Sequence, residues 1–213
     1  MERHTYVMAA LETHDEHRLL EKTGLNIWTG AGFWGIGLTT WSLPMLLSGQ
    51  EFGEPWGLGF KRSDYIRSRF EGSDNFNNAS SELRDYYARM IWARKQEKNR
   101  ALYSSKRHFL RTKDSNSVDE RIFAQIKWSE DYNVIFTIHN LWEEDVEQSY
   151  YIPPAVASSA GIQDSKNYKL RNILAEGEPQ LGNCILGKDI KWNFFVKLNR
   201  AERAQWLRLE ECN

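Results

Sequence analysis

Apolar positions fall into two regimes along this chain. Up to about residue 104 they form continuous or helix-spaced runs; beyond it they form short stretches separated by turn residues. "TYVMAAL" (5–11) predicts a short buried strand, followed at once by the polar "ETHDEHR". An apolar, glycine-spaced segment over 29–42 predicts a helix that ends by Pro44, because proline disfavours helical geometry in the residue before it. "MLLSG" (45–49) predicts a second strand closed by Gly49. The stretch 50–78, rich in Gly, Asn, Ser and charge, reads as a long loop with one helical turn near 63–70. Leu83, Tyr86, Tyr87, Met90, Ile91 and Arg94 then follow helical spacing, predicting an amphipathic helix over 80–96 with Ser80 or Ser81 as its N-cap.

From about residue 105 the period shortens. "RIFAQIKWS", "NVIFTIHNLW", "QSYYIPP", "YKLRNILA" and "KWNFFVKL" show partial alternation, with Asp131, Pro153-Pro154, Gly161 and Gly177 as turn signals. Several such strands with no helix between them predict an antiparallel β-sandwich. The expected division is therefore residues 1–104, strand–helix–strand–helix, and residues 105–213, all-β.

Composition changes this picture little. The 213 residues suffice for a sizeable core. A net charge of -1 gives no electrostatic reason to expect nucleic acid or an anionic membrane as partner. Cys184 and Cys212 are too few for a disulfide framework and neither has a CxxC partner for zinc, so a reduced, cytoplasmic chain is expected. The N-terminus lacks a signal-peptide layout, and a chain that starts inside a strand looks like a piece of something longer. Nine Trp, nine Tyr and ten Phe supply core mass, but rings also stack on sugars, so composition does not separate the two uses.

"GAGFWG" (30–35) spells the G-x-G-x-x-G of a dinucleotide-binding turn, with Glu51 near where a ribose-binding acid belongs. Against that reading, "LNIW" is a poor first strand, and Phe33 and Trp34 fill positions where backbone must approach a pyrophosphate. A membrane span is opposed by the Thr and Ser residues that dilute the run, by Pro44, and by the lack of flanking basic clusters. A buried helix packed all round is the favoured reading, with no cofactor implied.

"ETHDEHR" admits three readings. It could be a metal site of His14, Asp15 and His17, although it lacks the His-Glu-x-x-His spacing. It could be a solvated loop. Or it could be catalytic by position, since polar residues after a barrel strand sit on the catalytic face. An Asp beside a His there can bind sugar hydroxyls and stabilise charge at an anomeric carbon.

On these residues the chain resembles the α-amylase family, glycoside hydrolase family 13. "YVMAALETHDEHRLL" resembles the family's seventh barrel strand and the loop after it, which ends in His-Asp. "TTWSLPMLLSGQEFGE" resembles its eighth-strand stretch, and "LRDYYARMIWARKQEKNRALYSS" the helix that follows. The all-β remainder corresponds in placement to the family's C-terminal domain.

The resemblance implies the last two β/α units of a (β/α)8 TIM barrel followed by an antiparallel β-sandwich, acting on an α-glucan or oligosaccharide by retaining hydrolysis or transglycosylation. Asp15 matches the transition-state-stabilising carboxylate and His14 the neighbouring sugar-contacting histidine. Thr13 stands where the family often has Asn. Arg18 and Glu51 match motif positions and are expected to orient the loop through ion pairs. The family's nucleophile and general acid belong to its fourth and fifth strands, which the resemblance does not reach, so the chain alone is expected to be inactive.

It is also expected to pack its strand edges against the rest of a barrel or against a second copy. The alternative is a non-catalytic module that binds glycan or a partner through rings such as Trp128, Trp142, Tyr150 and Tyr151. A dinucleotide-binding or metal-binding protein is the lesser alternative.

Overall fold

The computed structural model describes residues 7–13, 27–40, 42–47, 49–53, 81–131, 133–200 and 202–212. The chain divides into two compact units after Met90.

In the first unit, β1 (Val7–Ala10) and β2 (Ser42–Met45) pair in parallel, with Val7 opposite Ser42 and Ala10 opposite Met45. Parallel neighbours need a crossover, and α1 (Ile27–Thr39) lies between them in sequence. Its residues Ala31, Trp34 and Leu38 are buried, and the Trp34 indole donates to the Met45 carbonyl at 2.9 Å. The segment 30–35 is thus helix interior, with no turn in which a phosphate could sit. At 13 residues α1 is too short to span a bilayer, and no helix among the described residues is long and apolar enough to do so.

Two boundaries depart from expectation. α1 stops at Thr39 rather than 42, because hydroxyls take over its last carbonyls. Thr39 Oγ1 donates to Ile36 O at 3.0 Å, Thr40 Oγ1 to Gly37 O at 3.1 Å, and Ser42 Oγ to Gly37 O at 2.8 Å. β2 then begins at Ser42 and includes Pro44, where the sequence predicts the strand to start only at Met45. Proline is tolerated in a strand where no neighbour requires its missing N–H. α2 (Ser81–Lys95) matches the amphipathic pattern and buries Leu83, Tyr87 and Met90. The helical turn expected near 63–70 lies outside the described residues.

The second unit holds two antiparallel sheets. Its strands are β3 (Arg107–Phe109), β4 (Arg111–Thr112), β5 (Ile122–Trp128), β6 (Val134–Asn140) and β7 (Val146–Tyr151). They continue with β8 (Asn167–Asn172), β9 (Gln180–Leu186), β10 (Phe194–Leu198) and β11 (Ala204–Glu211). One sheet has the order β3-β5-β6-β11-β8-β9 and the other β10-β7-β4. Residues of both form one apolar core, where the Phe136 and Phe194 rings stack at 4.1 Å.

Two short helices interrupt the strands, contrary to the helix-free expectation: α3 (Pro154–Ser159) and α4 (Gly187–Trp192). Pro153-Pro154 reads as a turn in sequence, but proline also suits the first position of a helix, and α3 starts there. α4 begins at Gly187, where an added Cβ would lie 2.1 Å from the Gln163 carbonyl oxygen.

The other face of the large sheet is covered too. Gln125, Lys127, Thr137, His139 and Arg208 are all buried. The Trp206 indole donates to His139 Nε2 at 3.2 Å. Arg208 donates to Asn99 Oδ1 at 2.7 Å, Glu178 Oε2 at 3.0 Å and Glu210 Oε1 at 2.6 Å. Burial pushes both carboxyls up, yet Lys98 and Arg208 on Glu178, and Arg208 and Arg171 on Glu210, hold them below the usual range. Strand β11, absent from the sequence reading, is central for this reason: with both faces covered, it shows no simple apolar–polar alternation.

The cysteines require a correction. Cys184 on β9 and Cys212 just past β11 form a disulfide across β8, so the chain is not reduced as expected. Their separation of 28 residues carries no pairing signal; the sheet order brings them together. Closing a loop of that length stabilises by about 3–4 kcal/mol in the chain-entropy account. Cys184→Ser should lower stability by that order in chemical denaturation, and dithiothreitol should lower the wild-type melting temperature while leaving the variant unmoved.

Lys127 generates a second expectation. Burial first, then Arg107 and Arg94, pushes its ammonium down to about 7 from 10.5. The unfolded chain therefore binds this proton more tightly than the folded one between those values, and stability rises with pH across that window. Melting temperature should climb from pH 7 toward 10 in the wild type, and Lys127→Met should flatten the slope.

Candidate functional site

Parallel pairing brings the C-terminal ends of β1 and β2 to the same side. Leu11, Glu12 and Thr13 follow β1; Leu46, Leu47 and the tight turn Gln50–Phe52 follow β2. Gly49 (φ 99°) and Gly53 (φ 71°) bracket that turn in left-handed conformations suited to glycine. The Gly49 N–H donates to the Glu51 carboxylate at 2.9 Å. Of the residues singled out from the sequence, Glu51 is therefore engaged in its own turn. His14, Asp15, His17 and Arg18 lie outside the described residues.

Beside these strand ends sits a polar cluster that the sequence reading missed in part. Glu12, Gln50 and Tyr87 are buried, and Gln50 Nε2 donates to the Tyr87 hydroxyl at 3.3 Å. Burial, with Glu12 and Glu51 adding to it, raises the Tyr87 hydroxyl well above its ordinary value despite the Gln50 hydrogen bond. Tyr87 is thus neutral and acts as a hydrogen-bonding group. Among the described residues, Gln50 Oε1 has no hydrogen-bond partner. Tyr87 was legible as an apolar-face helix residue. Glu12 and Gln50 carried one signal, their position just beyond strands. Among the described residues no three His, Cys, Asp or Glu side chains cluster as metal ligands.

In the second unit, the rings proposed from sequence for binding divide. Trp128 and Tyr150 are core residues, which removes them as binding groups, whereas Trp142 is exposed and Tyr151 half-buried. A cavity of about 750 Å³ includes Asp164, Lys166, Lys191 and Glu211 in its wall. Lys166 pairs there with Glu211 at 2.8 Å and Lys191 with Asp164, while Asp131, also in the wall, pairs with Arg100 at 3.2 Å.

No protein-family profile and no curated protein matches the sequence. Solved structures do match in fold. A maltogenic α-amylase, AmyB from Thermotoga neapolitana, is 15% identical with a TM-score of 0.66, over 98% of this chain and 43% of that one. The Geobacillus thermoleovorans α-amylase, solved with acarbose, is 14% identical with a TM-score of 0.65, over 98% and 40%. AmyP, solved with maltose, is 14% identical with a TM-score of 0.64, over 97% and 41%. The chain therefore spans about two-fifths of the length of the α-amylases whose fold it resembles, the family whose motifs the stretches 6–20, 39–54 and 83–105 resemble.

Proposed function

We propose that this chain forms the C-terminal part of an α-amylase-family enzyme acting on α-glucans by a retaining reaction, hydrolysis or transglycosylation. Residues 1–104 supply the last two β/α units of the catalytic barrel and residues 105–213 a β-sandwich. The observation that carries this reading is fold likeness over almost the whole chain to about two-fifths of several α-amylases, two of them solved with acarbose or maltose. The parallel pair β1–β2, with polar residues at its C-terminal ends, supports it as well.

In this reading Asp15, three residues beyond the buried Glu12, faces the sugar at the cleavage point. Its carboxylate stabilises the positive charge that develops at the anomeric carbon, and His14 binds a hydroxyl of the same sugar. Arg18 and Glu51 hold the two loops in place. The nucleophile and the acid come from other barrel strands, so the 213 residues alone are inactive on α-glucans. The Cys184–Cys212 bond favours an oxidising compartment over the cytoplasm expected from sequence.

The test compares two carboxylates in a form of the enzyme that carries the preceding barrel strands. Asp15→Asn should lower kcat by about 10²–10³ with an unchanged melting temperature, as for the loss of one electrostatic group that acts in the transition state. Glu51→Ala should do the reverse. It loses a charge-assisted bond to Gly49 N, lowers stability by about 1–2 kcal/mol, and leaves most of the turnover. Near-normal kcat in Asp15→Asn would remove Asp15 from the mechanism.

A further inference from the structure

The outward face of the three-stranded sheet carries exposed rings next to polar side chains. Antiparallel register places Phe195 opposite Ser149 and Arg111 opposite Tyr151. Side chains two apart on a strand share a face, so Phe195, Ser149 and Tyr151 point the same way, away from the core that holds Phe194 and Tyr150. Trp192, at the end of α4, meets Tyr151 edge-to-face, with centroids 6.2 Å apart and planes at 84°. Trp192 is 63% and Phe195 53% exposed. The Lys113 ammonium lies 5.1 Å from the centre of the Trp192 ring.

The charges of this face are largely engaged within it. Lys197 pairs with Glu147, and Arg111 Nη1 donates to the Asn116 carbonyl at 3.1 Å. It therefore presents no free run of cations to a polyanion, and its rings are interleaved with polar groups rather than fused into an apolar patch that would suit a protein partner. Exposed ring faces alternating with a hydroxyl and N–H donors complement a neutral ligand that is itself alternately apolar and hydroxylated, which is the make-up of a sugar chain.

We infer that Phe195, Tyr151 and Trp192, with Ser149 and Lys113 between and beside them, form a binding platform for an α-glucan chain, separate from the strand-end site. The choice of glucan rests on the proposed function; the platform itself rests on the ring geometry. Trp192 presents its free ring face to a sugar ring, Tyr151 stands against its edge, and Phe195 continues the track across Ser149. The Lys113 ammonium lies over the other face of Trp192. The platform holds polymeric substrate on the second unit without taking part in bond cleavage.

The test is electrophoresis of the 213-residue chain through native gels cast with soluble starch. The wild type should be retarded. Trp192→Ala and Tyr151→Ala should each weaken binding about tenfold or more, and Trp142→Ala, which removes an exposed ring elsewhere, should not. Circular dichroism melts check that each variant is folded; should Trp192→Ala fail to fold, Phe195→Ala carries the same expectation. Asp15→Asn should leave retardation intact, so loss of binding in that variant alone would place the glucan at the strand ends and overturn the platform. Absence of wild-type retardation, or equal retardation by poly(dT), would overturn it too. None of these results alters the kinetic test of Asp15.

Discussion

A buried guanidinium sets the terms for the second unit. Arg208 sits in the central strand of the large sheet, and taking its charge out of water costs several kcal/mol unless fixed partners replace the solvent. Those partners come from three places: Glu210 on the same strand, Glu178 in the turn between β8 and β9, and Asn99 in the 3₁₀ segment Glu97–Tyr103. Asn99 is anchored in turn, donating to the Ala93 carbonyl at 2.8 Å. Satisfying one side chain therefore pins that segment to the outer face of the sheet. Lys98 reinforces it through Glu178 at 2.9 Å, and Ala101 N–H donates to Asn133 Oδ1 at 3.1 Å.

Once that face is covered, the rest of the architecture follows from edges. β5, β6 and β11 have neighbours on both sides and layers on both faces, so buried polar groups such as His139 and Arg208 find their partners within the protein. β9 is the opposite case: an edge strand, mostly exposed, with an irregular register against β8. The disulfide ties this strand back across β8. The three-stranded sheet has one buried face and one open face, which leaves room there for rings to serve binding rather than packing.

The first unit obeys a different constraint. Two parallel strands joined through a helix must start on one side and finish on the other, so whatever follows each strand is gathered at one end. Glu12 and Gln50, distant in sequence, are brought there by this rule. Tyr87 from α2 closes the cluster through its bond to Gln50. Gly49 and Gly53 permit the tight turn, and Glu51 fills its backbone N–H.

By itself the sequence determined the elements whose periodicity is strong and local. The strand within 5–11, the helices at 29–42 and 80–96, and strands β5, β6, β7, β8 and β10 were legible from apolar spacing alone, as was the reading of "GAGFWG" as helix. The motifs around His14, Asp15 and Glu51 were legible as a resemblance, since short ordered motifs survive in sequence. Tertiary structure decided what depends on neighbours. β11 could not be read because burial on both faces removes alternation, and α3 because Pro-Pro serves a turn and a helix start equally well. The Cys184–Cys212 bond required the order β11-β8-β9. The grouping of Tyr151 with Trp192 and Phe195, and the burial of Trp128 and Tyr150, required the register of β7 against β10 and β4. A side chain's face is fixed by strand pairing, and strand pairing is a long-range property that no local stretch of sequence contains.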